Sequence, residues 1–279
     1  MIRIRILGSA AGGGLPQWNC ACPNCIAARA GEIPPQTQSS VAISGDDERW
    51  FLINASPDLA QQIERTPELQ PRPGSPRNTP IAGVLLTNAD LDHGLGLLLL
   101  RQRETPLVVC ATDETRAALD WIDMVLKPFC GVEWRTVSRD FISLSKSVTF
   151  RAISLPNSIA LQFRDQSSSA SALIAPAVGN LSDELHDAVK TSDIVLFDGT
   201  FWNDDELLAF RPGASTAREM NHLPIVDGSL DFLRHSPARR KLYTHINNTN
   251  PILMPGSRER AEVERAGIEI ARDGLEIVL

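Results

Sequence analysis

Aromatic residues, disulfide-type cysteine patterns and long apolar runs are all scarce in this chain. Phe, Trp and Tyr make up 5% of its 279 residues, and only one residue is a tyrosine. No apolar run approaches the roughly 18 residues that a membrane-spanning helix requires. Residues Met1–Gly8 alternate apolar and basic side chains, which indicates a strand and not a signal peptide. We therefore expect a cytoplasmic protein with no membrane partner.

An excess of positive charge is also missing. The net charge is −7 and the isoelectric point is near 5.3. Nucleic acids and anionic membranes attract basic surfaces, so these values argue against both kinds of partner. With 43% hydrophobic residues and no linker-like stretch, the chain can bury one sizeable core. We expect a single domain over residues 1–279.

What the chain does contain is a compact cysteine motif. Three of its five cysteines, Cys20, Cys22 and Cys25, lie within six positions. In a cytoplasmic protein such spacing is more typical of a metal site than of a disulfide framework. Three thiolates in a tight hairpin can occupy three corners of a tetrahedron, so the motif predicts a structural Zn(II). The fourth ligand is left open between His222 and the Asn247–Asn248 segment.

The stretch from Ile81 to Gly94 joins a buried strand to a polar turn. Its apolar start indicates a short strand, and Asp90, Asp92 and His93 follow within a few positions. Rigid strands tend to present functional side chains in the loops that follow them. This turn therefore offers two carboxylates and an imidazole as candidate metal ligands.

Two later apolar runs end in similar residues. The run 193–197 leads into Asp198, and the run 241–246 contains His245 near its end. Each residue alone has an ordinary explanation, because an Asp after a strand is often a helix cap and a buried His is often only hydrogen-bonded. Together, three strand ends with ligand-type residues indicate one shared metal site.

The remaining pattern predicts an α/β protein. Strands cluster in each half of the chain with helices between them, which predicts two sheets face to face with helices outside. The glycine-rich loop Gly8–Gly14 lacks the features of a nucleotide-binding loop, so we interpret it as backbone passing close to another segment. Capping residues and periodicity predict helices at about Pro57–Glu64, Gly94–Arg103, Glu114–Leu126, Leu223–Arg234 and Arg258–Ala266.

Together the candidate ligands resemble the metallo-β-lactamase superfamily. Its motif Thr-His-x-His-x-Asp-His has the frame of Thr87–His93, while Asp198 matches its bridging aspartate and Thr244-His245 match its last ligand. The resemblance implies an αββα sandwich, with two mixed sheets face to face and helices outside. Asn88 and Asp90 stand where the motif has its first two histidines.

These departures change the expected metal. No histidine lies between His93 and His186 to act as the middle ligand of the superfamily. A set of two imidazoles and carboxylates with open coordination positions suits Fe(II) or Mn(II) better than tetrahedral Zn(II). We therefore expect a single catalytic metal and not two. Its candidate ligands are Asp92, His93 and His245, with Asp198 and Asp90 nearby.

Further motifs look like those of the pyrroloquinoline quinone biosynthesis protein B family. They are Gly8–Gly14, Pro16–Cys25, Asn54–Asp58, Asp198–Trp202, Arg218–Leu223 and His245–Leu253. The resemblance spans most of the chain and implies an iron-dependent oxygenase that hydroxylates the tyrosine ring of a cross-linked Glu-Tyr intermediate in cofactor biosynthesis. The implied partners are a small amino-acid-derived substrate and O2, and a homodimer is left open.

The same resemblance gives roles to the residues near the iron. Asp198 and Asp90 are expected to tune the metal as ligands or to contact substrate as catalytic groups. The role of His222 is left open. It could be a zinc ligand, an acid/base or substrate contact beside the iron, or a helix cap, and we favour the active-site role. The chain departs from the family at Asp90 and by a shorter segment around Leu155–Asp165. Both departures lie where substrate should bind, so the substrate itself is left open.

Two other functions compete with the oxygenase. A metal-dependent hydrolase of a phosphodiester would use a metal-bound hydroxide, which is the commoner chemistry of this fold. A non-catalytic carrier would bind a quinone in the metal cleft without consuming O2. The fold alone cannot rank these functions, because function depends on the site.

Overall fold

Two sheets of seven strands each face one another in the computed structural model, which describes residues 1–279. In order across the first sheet, the strands are Glu276–Val278, Arg3–Gly8, Ser40–Ser44, Trp50–Ile53, Ile81–Leu85, Leu107–Ala111 and Val132–Thr136. Across the second they are Glu269–Ile270, Arg240–Thr244, Ile194–Asp198, Ser171–Ala175, Ser158–Asp165, Val148–Leu155 and Ile142–Ser143.

The helices lie outside the two sheets. The α-helices are Pro23–Arg29, Leu59–Glu64, Leu91–Gly94, Asp113–Ala118, Asp120–Leu126, Asp183–Lys190, Leu230–Arg234 and Arg258–Arg265. Short 3-10 turns cover Pro67–Leu69, Leu95–Leu100, Glu206–Ala209 and Pro251–Leu253, and a π-helical turn covers Ile225–Ser229. None of these helices combines the length and the apolar character needed to cross a bilayer. The predicted αββα sandwich is confirmed.

Apolar side chains from both sheets interlock between them. Ile4 and Ile43 from the first sheet join Phe150, Leu161 and Leu196 from the second in one buried cluster. Fully burying a side chain of this size contributes about 1.5–3 kcal/mol. A second and a third cluster lie under the outer helices, one on each side of the sandwich.

Each sheet is mixed, and its parallel part positions the candidate ligands. Trp50–Ile53, Ile81–Leu85 and Leu107–Ala111 run parallel in the first sheet. Ser171–Ala175, Ile194–Asp198 and Arg240–Thr244 run parallel in the second, where Asp198 and Thr244 are register partners. Because the carboxyl ends of parallel strands meet at one edge, the polar turns after these strands converge there.

Several predicted helix bounds were wrong, each for a local reason. The helix expected at Gly94–Arg103 begins at Leu91 and continues as a 3-10 turn to Leu100. A Cβ on Gly96 would lie 2.2 Å from the carbonyl oxygen of Ser56, so this segment packs directly on backbone. The helix expected at Glu114–Leu126 is broken at Leu119, although its predicted start after Thr112 is confirmed by the cap on Thr115 N.

The remaining corrections concern where helices start. The helix expected at Pro57–Glu64 begins at Leu59. The helix expected at Leu223–Arg234 starts as the π-helical turn described above.

The cysteine motif is not a hairpin, because Cys25 lies in the helix Pro23–Arg29, whose proline presets the backbone of its first turn.

Candidate metal centre

Three side chains that follow two strands, one from each sheet, form a compact ligand group. Asp92 Oδ2 lies 3.2 Å from His245 Nε2 and 3.8 Å from His93 Nε2. Ligands that share a metal at bond lengths near 2.1 Å are separated by roughly 3–3.5 Å. The spacing of one carboxylate and two imidazoles is therefore close to that of a three-ligand metal site.

His93 carries the clearest sign of a missing partner. Its side chain is fully buried, and its Nε2 atom has no hydrogen-bond partner. Burial lowers the pKa of the imidazole to about 4, so the ring is neutral at neutral pH. Because buried polar atoms are nearly always satisfied, the bare Nε2 beside Asp92 fits a metal ligand.

The electrostatics of Asp92 also suit a cation. Burial alone would raise the pKa of its carboxyl, but the adjacent imidazole of His93 and the hydrogen bond with His245 outweigh this and hold the pKa well below its usual range. The side chain is thus an anion in a largely buried setting. An anion enclosed in this way attracts a cation strongly, since little solvent screens it.

Neighbouring polar groups contact His93 at Nδ1, the ring nitrogen that does not face Asp92. Its Nδ1 lies 2.5 Å from Asn88 Oδ1 and 3.3 Å from Thr87 Oγ1. Thr87 is held in turn by Asn54, whose Oδ1 accepts from the Thr87 backbone at 2.9 Å. Asn54 takes a left-handed backbone at φ 60°, which an asparagine adopts more readily than most residues. A metal-ligating His typically has such a partner on its second nitrogen.

His245 sits in an unusual backbone conformation. Its φ is 55°, in the left-handed region that non-glycine residues seldom adopt. Thr200 Oγ1 lies 2.8 Å from its Nδ1 and 2.9 Å from its carbonyl oxygen. Such strain persists only where surrounding contacts impose it, and it is enriched at functional sites.

The glycine-rich loop covers the same centre. The backbone of Ala11 donates to Ile246 O, and Ile246 donates to Ser9 O, so the loop lies against the strand end that carries His245. A Cβ on Gly12 would lie 3.5 Å from the Asp92 carboxyl. The prediction that this loop passes close to another segment is confirmed.

Asp198 and His222 form a second group around His245. His222 Nδ1 lies 2.7 Å from Asp198 Oδ2, and its ring stacks on that of His245 with centroids 5.4 Å apart. Burial lowers the pKa of His222, but the Asp198 carboxylate more than offsets this and raises it. The ligand atoms of these three residues lie within 4.8 Å of one another. His222 is therefore at the metal centre, as favoured from sequence, and not at the cysteines.

The carboxylate of Asp198 already accepts several hydrogen bonds. Asp198 Oδ2 also accepts from Val178 N at 2.8 Å, and Oδ1 accepts from the backbone and hydroxyl of Thr200 at 3.0 and 2.6 Å. Asp198 thus holds both His222 and the Thr200 that supports His245.

Asp90 stands apart from both ligand groups. Its Oδ2 accepts from Asn88 Nδ2 at 2.6 Å, and the residue is exposed. It lines a cavity of about 170 Å³ together with Asn157, Glu219 and His222. Its metal role stays a prediction, while its place on the cavity wall fits the expected substrate contact.

The cavity is bounded by a short hairpin in the segment that departs from the family. Leu155 pairs with Ser158, so only two residues form the turn between the strands. Asn221 donates to the carbonyl oxygen of Pro156 and ties this turn to the segment that carries His222.

The cysteine cluster forms a separate centre. The Sγ atoms of Cys20, Cys22 and Cys25 lie within 4.8 Å of one another. The side-chain amide of Asn248 sits 3.2, 3.5 and 3.3 Å from these three sulfurs. In a tetrahedral zinc site the fourth ligand lies about 3.5 Å from each sulfur. The Asn248 amide, which donates to the sulfurs through Nδ2, therefore lies where a fourth ligand would stand.

The thiols themselves need a cation to ionise fully. Burial raises the pKa of the Cys22 thiol to about 11. For Cys20, burial raises the pKa, but the backbone N–H of Cys22 and the neighbouring thiols outweigh it and lower it. Since zinc binds thiolates, its binding would release protons here.

Comparison with known proteins agrees with this geometry. The sequence model of the beta-lactamase superfamily domain matches residues 49–246. Coenzyme PQQ synthesis protein B from Cupriavidus necator is 42% identical, and the one from Bradyrhizobium diazoefficiens is 38% identical, each over 100% of both chains. A Zn²⁺-bound PqqB from Methylobacterium extorquens is 35% identical with a TM-score of 0.93, covering 99% of this chain and 100% of that one.

The chain belongs to the coenzyme PQQ synthesis protein B family. This confirms the resemblance based on motifs, and it places the role of the chain in PQQ biosynthesis. A diphosphatase of the PhnP family, 21% identical with a TM-score of 0.73 over 100% of this chain and 98% of that one, shares the fold. This chain combines two candidate metal centres linked by the segment from His245 to Asn248.

Several residues of these centres were not expected from sequence. Asn54, Asn88 and Thr200 hold the candidate iron ligands from behind, and all three are buried. Asn54 and Thr200 lie in the quoted family motifs, but only the fold shows which side chain each one contacts.

Proposed function

We propose that this chain is an iron-dependent oxygenase that hydroxylates the tyrosine ring of a Glu-Tyr cross-linked intermediate in PQQ biosynthesis. The observation that carries the proposal is the group of Asp92, His93 and His245 beside a cavity. One carboxylate and two imidazoles with open positions are the ligand set of many Fe(II) oxygenases. Membership of the PQQ synthesis protein B family supports the substrate class.

When bound, Fe(II) would supply the one-electron chemistry by which O2 reacts. One oxygen atom enters the ring in place of hydrogen, and the other leaves as water with two electrons from an external reductant. The chain would hold the metal through Asp92 Oδ2, His93 Nε2 and His245 Nε2.

Other residues would position the substrate and its protons. His222 lines the cavity with Nδ1 on Asp198, which leaves Nε2 to accept or release a proton near the ring. Asp90 on the cavity wall would pair with the ammonium group of an amino-acid-derived substrate, since the two groups carry opposite charges.

The cysteine centre would hold a structural Zn(II) with Asn248 as its fourth ligand. Turning the Asn248 carboxamide over exchanges its nitrogen for its oxygen at the fourth corner. The backbone oxygen of Asn248 also accepts from Asn24 at 2.9 Å, which anchors the segment. The zinc-bound state of the Methylobacterium extorquens relative is consistent with a metal in this chain.

The oxygenase proposal is tested by O2 uptake. Chain reconstituted anaerobically with Fe(II) is mixed with the cross-linked Glu-Tyr compound, ascorbate and O2, and uptake is followed together with the mass of the product. We expect a product heavier by one oxygen atom, loss of turnover in His93→Ala, and normal turnover in His235→Ala, whose side chain is 71% exposed. Equal turnover in His93→Ala would refute the assignment, and tight binding without uptake would favour a carrier.

A hydrolase is the second candidate, and the adjacent group of Asp198, His222 and His245 favours it. Asp198 and His222 lie beside the group of Asp92, His93 and His245 and could hold a second metal next to the first, and paired metals are typical of many phosphodiesterases. Cleavage of bis(p-nitrophenyl) phosphate with Mn(II) or Zn(II) under argon would support this function, because an oxygenase needs O2. No cleavage under argon, with uptake in air, would exclude it.

A further inference from the structure

Asn88 is buried at the end of the Ile81–Leu85 strand, with 6% of its surface exposed. Its carboxamide touches two chemically different neighbours. Nδ2 donates to Asp90 Oδ2 at 2.6 Å, while Oδ1 lies 2.5 Å from His93 Nδ1. Oδ1 also accepts from the backbone N–H of Asp90 at 3.2 Å. The side chain thus links a cavity-wall carboxylate to a candidate metal ligand.

These contacts fix where the proton of His93 sits. An ionised carboxylate only accepts hydrogen bonds, so the NH2 end of the Asn88 amide must face Asp90. The carbonyl end then faces His93, and a carbonyl oxygen also only accepts. His93 Nδ1 must therefore carry the hydrogen, which leaves Nε2 with a free lone pair on the side of Asp92 and His245.

The same contacts keep Asp90 out of the ligand group. Asp90 lies two positions before Asp92, yet its Oδ2 is held by Asn88 and is not among the grouped ligand atoms. Asn88 stands where the superfamily motif has its first histidine. A position that supplies a ligand in the motif supplies a hydrogen-bonding amide in this chain.

We propose that Asn88 is a positioning residue. Its amide, oriented by Asp90, keeps the hydrogen of His93 on Nδ1 and leaves Nε2 with a free lone pair. The same amide holds Asp90 at the cavity wall. The inference rests on the proposed metal site. It concerns a residue that is not among the grouped ligand residues and whose contact with the candidate metal site runs through His93. A structural alternative is that Asn88 merely caps the turn at Asp90 N.

Three variants separate these roles. Asn88→Ala removes all contacts of the amide. Asn88→Ser can still accept from the backbone of Asp90, but its side chain is too short to reach His93. Asn88→Asp can accept from both Asp90 N and His93 Nδ1, but it cannot donate to the Asp90 carboxylate. Folding of each variant is checked by its thermal midpoint.

The first measurement needs no metal. Nitrogen-15 NMR of the metal-free protein reports the tautomer of each of the five histidines, and the His93 signals are identified by their loss in His93→Ala. We expect hydrogen on Nδ1 of His93 in wild type and in Asn88→Asp, and a tautomer mixture in Asn88→Ala and Asn88→Ser. Wild-type-like His93 signals in both of the latter variants would overturn the inference.

The second measurement is the Kd of Mn(II), followed by its EPR signal. We expect Asn88→Ala and Asn88→Ser to bind Mn(II) about 10–100-fold more weakly than wild type, as for other groups that orient a metal-ligating histidine. Asn88→Asp should stay within about threefold of wild type. Wild-type affinity in Asn88→Ser would reduce Asn88 to a turn cap and contradict the proposal.

Failure of the proposed function gives a different result. If wild type itself binds no Mn(II) at this centre, the metal-site assignment fails, while the NMR tautomer of His93 still supports or refutes the role of Asn88. If wild type binds Mn(II) and both shortened variants bind it equally well, only the Asn88 inference fails.

Discussion

The two candidate metal centres are built in opposite ways. The cysteine centre takes three ligands from six consecutive positions, whereas Asp92, His93 and His245 come from the ends of strands in different sheets. The centres meet in one segment, because His245 faces one and Asn248 faces the other. A local ligand set can bind metal as the chain folds, while the dispersed set exists only once both sheets have formed.

The two centres also differ in chemistry. Soft thiolates select Zn(II), and a carboxylate with neutral imidazoles suits Fe(II) or Mn(II). The cysteine centre has a side chain near every tetrahedral corner, which is typical of structural sites, whereas the other centre offers three ligands and leaves coordination positions open. The comparison therefore predicts that one metal controls stability and the other controls activity.

Loss of the cysteine centre should have the largest effect. Cys22→Ser is expected to remove the bound zinc and to lower the free energy of unfolding by about 5 kcal/mol or more, because structural zinc supplies folding energy directly. Because the shared segment would loosen, iron affinity should fall too. Zinc content and denaturant unfolding measure this, and Cys130→Ser, outside the cluster, should cost only about 1 kcal/mol. Full stability without zinc would contradict the claim that the metal at the cysteine centre controls stability.

His245→Ala should produce the opposite pattern. We expect loss of the iron and at least a 100-fold fall in turnover (about 3 kcal/mol), with zinc retained and the free energy of unfolding changed by less than about 2 kcal/mol. Alanine also carries a Cβ, so the strain of the left-handed backbone remains and the variant loses only the packing of the imidazole. Metal analysis and kinetics on the same sample measure both. Loss of both metals would show that the centres are not separable.

The buried carboxyl of Glu206 makes the stability of the shared segment depend on pH. This buried residue accepts from Trp202 N at 2.6 Å and from Thr249, which adjoins Asn248 in the shared segment. Burial raises the pKa of its carboxyl from 4.5 to about 7. Its stabilising contribution is thus complete below the unfolded pKa and is lost as pH rises through about 7, by at most about 3 kcal/mol.

Glu206→Gln removes this titration. Between about pH 4 and pH 8, the unfolding free energy of the variant should rise relative to wild type by up to about 3 kcal/mol. Urea unfolding across this range measures the difference. Parallel pH profiles for the two proteins would show that the carboxyl titrates normally.

Asp90→Asn should have the smallest effect. We expect an unchanged content of both metals and an increase in KM of about 10-fold, the loss of roughly 1.4 kcal/mol of binding to a cationic group. Kinetics with the cross-linked Glu-Tyr compound measure this. A fall in iron content would instead show that Asp90 affects the metal, either as a ligand, as the sequence also allowed, or through Asn88.

Much of this arrangement follows from the order of residues along the chain. Buried strands that end in Asp92, Asp198 and His245 predict a shared site, because the ends of parallel strands meet at one edge. The cysteine spacing predicts a zinc site because the three thiols lie close together along the chain. Both predictions use short-range patterns, which periodicity and spacing describe well.

The supporting residues could not be predicted in this way. Asn88 contacts His93 across a turn, Thr200 contacts His245 from another strand end, and Asn248 reaches the cysteines over more than 220 positions. Amide and hydroxyl groups are common in loops, so their type carries little information before the fold shows their partners. The break at Leu119 similarly reflects tertiary packing, which overrides helix propensity.

The most direct test is the metal content of chain purified without added metal, measured for wild type, Cys22→Ser and His93→Ala. The two-centre account predicts about one zinc and about one iron per wild-type chain, loss of the zinc in Cys22→Ser, and loss of the iron alone in His93→Ala. Two zinc ions and no iron in wild type, or zinc lost in His93→Ala, would contradict it.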